Sequence, residues 1–369
     1  MKRAVCLYLC SLFAFAAEEP ANVVFERAAR ALAAGDYAAA EQGFKSVVRR
    51  EPGNVGAIGN LGIIYARTNR ADQAVAAYQR ALRISPDDEP ILLNLGLAYL
   101  KQDAHALALP YFARVVALDP QHQQARQLLA VCRLYTGQIA AAIDDLEKLS
   151  ADRPRDEQLL FLLGFAYLKN GDSQKAKAVF GQMFEVAGPA RAQFLFGRAC
   201  YEAALFPEAE ESFLEVQRLE PNFPGLHLEL GKLYISQRRT DDAVKELKLA
   251  LQENPNNEDA SYFLGGLLVQ EERYEEATPY LNHAKELKPD SWAVYFYLGK
   301  AKLHQGRTAE AVVLLRRAVE LNPNEANAEY QLGRALQASG QKTAAARAFA
   351  HARDLKAGAL NDVKIPGIR

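Results

Sequence analysis

The side chains best equipped for chemistry are sparse and scattered. Six histidines stand at His105, His122, His227, His283, His304 and His351. No two are three or four residues apart, the spacing that sets a pair of imidazoles on one helical face for a metal. They read as solvated surface groups, and neither a metal nor a cofactor is implied. The glutamates of 208–211 and 271–276 have the pattern of wetted helix faces rather than of an acid–base pair. There is no glycine-rich phosphate loop, no His-Glu-x-x-His run and no G-x-S-x-G elbow after a strand. What remains is aromatic and cationic, and its chemistry is binding. The expectation is therefore a protein that is not an enzyme.

The elements that position these residues repeat. Small residues recur at Gly62, Gly96, Ala130, Gly164, Gly197, Gly231, Gly265, Gly299 and Gly333, each step being 34 residues except one of 33. Alanines recur in phase, from Ala40, Ala74 and Ala108 to Ala345. Prolines close most repeats, among them Pro52, Pro86, Pro120, Pro154, Pro221, Pro255, Pro289 and Pro323. A fixed period of this length is the mark of a stacked-repeat architecture. In the second repeat Ile58, Leu61, Gly62 and Tyr65 fall at i, i+3, i+4 and i+7, one face of a first helix. Ala74, Tyr78 and Ala81 mark the facing stripe of a second. Pro86 ends it, because proline has no amide to donate and clashes with the preceding turn. Pro110 and Pro279 share one register inside second helices and predict mild kinks.

Leu61-Gly62, Tyr65, Ala74, Tyr78, Ala81 and Pro86 resemble the tetratricopeptide signature at its proper offsets, over about residues 21–357. Ten repeats start at Ala21, Val55, Glu89, Gln123, Glu157, Ala190, Pro224, Glu258, Trp292 and Ala326. The first is degenerate in its first helix. The fourth carries Ala130 for glycine and Arg133 for the aromatic. The fifth is one residue short and ends at Gly188-Pro189, where a change of twist is expected. The resemblance implies an all-α fold, a right-handed superhelical solenoid of antiparallel helix pairs. It divides as repeats one to five over 21–189, repeats six to ten over 190–357, and a tail over 358–369. One hairpin cannot bury its apolar face alone, so stability is a sum of repeat and neighbour terms. Cys132 and Cys200 lie two repeats apart. Stacked helices are about 8–10 Å apart and a disulfide spans about 7 Å at most, so two reduced, packed thiols are expected.

In that family the first helices line the ligand groove, with repeat positions 2, 5, 9, 12 and 13 facing it. The resemblance thus points to an apolar floor of Ile63, Leu97, Val131 and Phe165 in the first half, with Phe161 at position 5. In the second half it points to aromatic platforms Phe194, Tyr262, Phe296 and Tyr330 with cations Arg198, Lys232, Lys300 and Arg334. Positions 5 and 9 are neighbours on a helix face. A peptide with apolar and acidic groups would suit such a groove. The plainer alternative is that the position 5 rings fill the stack and the cations are solvated. The lysine–asparagine–arginine clamp for chaperone C-termini is missing: Asn60 and Asn94 stand at position 6, and position 9 has no asparagine.

Lys2 and Arg3, the apolar run from Ala4 to Ala17, and Ala14-Phe15-Ala16 before Glu18-Glu19-Pro20 have the order of a secretory signal over 1–16, cleaved after Ala16. An uncleaved anchor, or lipidation at Cys10, are the alternatives. Export to the periplasm or beyond is expected, most naturally across a bacterial envelope. The net charge of -1 offers no basic excess for nucleic acid. The leading expectation is a scaffold or adaptor that binds proteins or peptides in the envelope. The alternative is binding of an acidic polysaccharide during export.

Overall fold

The computed structural model describes residues 19–362, with side chains to 357; the signal-like head lies outside the described residues. Twenty α-helices account for the described regular structure. The chain divides into two compact bodies between Asn170 and Gly171.

In the first body the helices are α1 (Ala21–Ala33), α2 (Tyr37–Arg50), α3 (Val55–Arg67), α4 (Ala71–Ile84), α5 (Glu89–Leu100), α6 (His105–Leu118), α7 (Gln123–Tyr135), α8 (Ile139–Asp152) and α9 (Glu157–Lys169). In the second they are α10 (Ser173–Ala187), α11 (Pro189–Glu202), α12 (Phe206–Leu219), α13 (Leu226–Ser236), α14 (Thr240–Glu253), α15 (Glu258–Gln270), α16 (Tyr274–Leu287), α17 (Trp292–His304), α18 (Thr308–Leu321), α19 (Ala326–Ala338) and α20 (Lys342–Asp362). Each body is a stack of antiparallel helical hairpins, every helix packing on its sequence neighbours. α6 and α16 run through Pro110 and Pro279.

The 34-residue period has a packing cause. In seven hairpins the recurring glycine of the first helix faces the large residue, sixteen positions on, of the second helix. A Cβ on Gly62 would lie 2.4 Å from the Tyr78 ring, and one on Gly197 would lie 2.7 Å from Phe213. Glycine therefore lets the two helices of a hairpin close on the ring. The recurring alanines, Ala40 to Ala345, are all buried. First helices also touch the next first helix directly, as in α1–α3, α13–α15 and α17–α19. Their side of the stack is the more crowded one. Asp36, Asn54, Asp88, Asp156, Asp172 and Asn257 cap helix N-termini by accepting backbone amide hydrogens.

Arginines at the start of second helices brace adjacent hairpins. Arg70 donates to Glu41 at 2.6 and 3.1 Å and lies 4.5 Å over Tyr65. The Arg70 bond, opposed by burial and helped by Lys45, holds the Glu41 carboxyl at about 2. Arg239 binds Glu210 and Asp242 and covers Tyr234 in the same register. Cys132 and Cys200 are free, fully buried thiols, and burial pushes them up to about 11 and about 12.

The turn inside every hairpin has one residue in the left-handed region. Glycine holds it at Gly35, Gly137, Gly171, Gly306 and Gly340, but Asn69, Asp103, Ala204, Arg238 and Glu272 hold it elsewhere with φ of 54–59°. A left-handed residue with a Cβ costs about 1–2 kcal/mol, and glycine's extra chain entropy takes back roughly 0.5–1 kcal/mol. Ala204→Gly and Glu272→Gly should therefore each stabilise by about 0.5–1 kcal/mol. Urea denaturation midpoints would show it, and a midpoint that falls would contradict the account.

Candidate functional site

The residues expected to form one groove separate into packers and exposed groups. Ile63 packs on the cluster of Ile58, Tyr78 and Leu95, and Leu97 on that of Phe112, Leu129 and Cys132. Val131 is half-buried. Phe165 is only 3 % exposed. It is covered by Phe161 and Tyr135, each at 6.4 Å between ring centroids, and by the Lys169 ammonium at 5.5 Å. The apolar floor of the first body is thus the inner edge of its core, and Phe165 is not open to a ligand.

Position 5 behaves the same way. Phe25 meets Phe44 edge-on at 5.3 Å, Phe194 lies against Phe213 and Phe223, and Phe296 packs on the cluster spanning α18 to α20. These rings lean onto the second helix of their own hairpin. Tyr330 makes the same contact, 5.5 Å from Phe349, yet stays 46 % exposed. It shares a cavity with Phe349, Ala352, Arg353 and Lys356 rather than forming a platform beside Arg334.

Position 9 of the second body does carry charge, but part of it is already matched. Glu229, 8 % exposed, accepts from the Lys232 ammonium at 2.8 Å and faces the Arg198 guanidinium at 3.8 Å. Lys232 also sits 5.4 Å over Tyr201. Glu229 occupies repeat position 6, which sequence reasoning did not assign to this face. Phe263 and Tyr297 stand at position 6 of the next two repeats. With Tyr262, Ile235, Leu267 and Gln270 they enclose a cavity of about 140 Å³ around Gly266. Gly266 keeps it open, since a Cβ there would come within 3.3 Å of the Tyr297 ring. Tyr262 lies 6.0 Å from Tyr297, and burial pushes its hydroxyl up to about 12.

Beyond that cavity Lys300 and Arg334 lie close to His304, which stacks on Tyr274 at 4.8 Å. Burial first, then Arg334 and Lys300, hold the His304 pKa below its usual 6.5, against an opposing pull from Glu272. His304 is therefore neutral at pH 7, and the charge of this patch comes from the lysine and the arginine.

The other histidines are tied down rather than simply solvated. His227 bonds Glu246 at 2.5 Å, His351 bonds Glu329 at 2.8 Å, and His122 caps α7. No three metal-type side chains converge among the described residues, and no described helix is long and apolar enough to cross a membrane.

Stacked hairpins of near-constant period, closed by a glycine against a ring or a leucine, define a helical-repeat protein. The chain belongs to the tetratricopeptide repeat family. One model of that repeat matches residues 31–96, 69–130, 235–303 and 302–360, and a second matches 128–180 and 161–225. No curated protein matches the chain. Among solved structures it is similar to MamA 41-end from Desulfovibrio magneticus RS-1, at 24 % identity over 46 % of this chain and 96 % of that one, with a TM-score of 0.44. Yeast Tom70 shares 13 % identity over 91 % and 92 % of the two chains, with a TM-score of 0.46. YrrB, titled a TPR protein with an unusual peptide-binding site, shares 23 % over 50 % and 98 %, with a TM-score of 0.44.

Proposed function

We propose that the protein is a non-catalytic scaffold or adaptor of the cell envelope that holds an acidic, partly apolar peptide on the first-helix side of its second body. The observation that carries this reading is the ring-walled cavity around Gly266, between Tyr262, Phe263 and Tyr297, with Lys300 and Arg334 at the same repeat position of the next two first helices, α17 and α19. A leucine- or phenylalanine-sized side chain fits an apolar recess, and carboxylates on either side of it meet the cations. The expected placement in the envelope rests on the order of residues 1–19: basic head, apolar run, small residues, acids.

The test uses a labelled synthetic peptide of alternating leucine and glutamate. Lys300→Glu with Arg334→Glu should weaken its binding by about tenfold or more at low salt, and added salt should weaken the wild type. Gly266→Leu should block the recess and lower affinity without reversing the salt dependence. Binding that ignores both changes would refute the site. Capture of an acidic polysaccharide in place of the peptide, lost in the charge-reversed variant, would replace the ligand class while keeping the surface.

A further inference from the structure

The second-helix side of the second body holds a larger opening, between α16, α17 and α18, with a volume of about 630 Å³. Its place in the repeat is shared by an opening of about 290 Å³ between α10, α11 and α12. Thr278 and Lys177 stand in equivalent positions of the two, as do Leu298 and Phe196, and Glu310 and Glu208. The smaller one is lined by the rings of Phe180, Phe184 and Phe196, with Glu208 and Glu211. The larger one has no ring.

Where the smaller opening has Phe184 and Phe196 the larger has Lys285 and Leu298, and it adds a cation from repeat position 11. Tyr65, Tyr99, Tyr167 and Tyr234 stand there in four other repeats, and Lys302 stands there in the ninth. Lys302 is 7 % exposed and lines the cavity. Among the described residues its ammonium makes no hydrogen bond, and it opens onto the cavity rather than being sealed in the core. The one carboxylate in the lining, Glu310, is held by two Arg307 bonds of 2.6 and 2.7 Å. Lys285 adds a further cation and donates to Asn282 at 3.3 Å. The lining therefore has three cations to one carboxylate. Burial, with Arg307 and Lys285 acting in the same direction and Glu310 opposing, draws the Lys302 pKa below the ordinary lysine range. Leu298, Leu314 and Val313, the last 69 % exposed, supply apolar wall.

The Lys302 side chain is largely desolvated and its ammonium faces the cavity beside two further cations, so a carboxylate brought to it is favoured. We propose that this cavity binds a carboxylate carried on an apolar body, with Lys302 as its ion-pair partner and Leu298, Val313 and Leu314 against the apolar part. The volume is in the range of small-ligand sites. The carboxyl terminus of a peptide ending in apolar residues and a free alkyl carboxylate both have this chemistry.

Calorimetric titration of the full chain with acetyl-Ala-Leu-Leu, with its carboxamide, and with octanoate separates the sources. The acid peptide, octanoate or both should bind, and whichever binds names the source. The carboxamide should bind at least about tenfold more weakly than the acid, since a hydrogen bond to a charged group contributes about 1.5–3 kcal/mol. Lys302→Met should lose the same factor while its unfolding midpoint holds or rises, because an apolar chain of similar length replaces a largely desolvated lysine. Val313→Glu, on the exposed wall, should repel the ligand without touching the core. The Lys300→Glu/Arg334→Glu variant, altered on the other side of the stack, should bind unchanged, which keeps this site distinct from the peptide face. Equal binding of acid and amide, retained affinity in Lys302→Met, or no binding by either carboxylate at millimolar concentration would each overturn the proposal.

Discussion

Gly96→Ala is expected to cost the first body about 2–3 kcal/mol, an unusually large penalty for adding one methyl group. The added Cβ would lie 2.6 Å from Cε1, 2.7 Å from Cζ and 3.1 Å from Cδ1 of Phe112. That ring is fully buried and packed with Leu129 and Cys132, so it has nowhere to retreat. The helices α5 and α6 must separate, and the strain passes to the next hairpin, because stability in a stack includes its neighbour terms. The chain carries its own rescue. At the equivalent place in the fourth hairpin Ala130 stands in a first helix whose second helix offers Leu146, and both are fully buried. Gly231, Gly265 and Gly299 also face leucines, with an added Cβ at 2.5–2.7 Å, but a leucine can change rotamer where a phenyl ring cannot. Gly96→Ala/Phe112→Leu should therefore be more stable than the sum of its single changes by at least about 1 kcal/mol, a coupling expected only of residues in contact. Urea titrations of the four chains measure it, and additive losses would show that the glycine is not kept for the ring.

The same contact explains why so much of the fold was legible in the sequence. Glycine opposite a ring or a leucine, the alanine between helices and the proline after them each answer a local need that recurs about every 34 residues, so the signal accumulates along the chain. Charge pairing does not accumulate in that way. Glu229 matches Lys232 on its own helix but Arg198 on the previous one, and only the distance between α11 and α13 shows that one carboxylate holds both. Tyr330 is a related case: its partners Phe349, Arg353 and Lys356 come from α20, which the pattern of α19 does not record. Position 9 points to Phe165 as groove floor, but Tyr135 and Phe161 close over it. Lys302 was legible as a lysine where tyrosine recurs, although the cavity beside it needed three helices in place.

Glu229→Gln should strengthen binding of an acidic peptide on the first-helix side, by about fivefold to tenfold at low salt, while lowering stability by about 1–2 kcal/mol. With glutamate in place the trio of Arg198, Lys232 and Glu229 sums to one positive charge. With glutamine it sums to two. Glutamine keeps the shape and one acceptor oxygen for Lys232, so the loss of stability is that of a partly buried cation left with a weaker partner rather than that of a cavity. The Lys232 side chain is 20 % exposed and that of Arg198 43 %, so both can turn toward a ligand once released. The gain should vanish at about 0.5 M salt, where screening acts over only a few ångströms. Combined with Lys300→Glu/Arg334→Glu, the change should restore only part of the lost affinity, because the two cation pairs lie on different helices and meet different stretches of the peptide. An affinity left unchanged by Glu229→Gln, alongside the expected drop in stability, would mean that Arg198 and Lys232 are structural and that recognition lies with Lys300 and Arg334 alone.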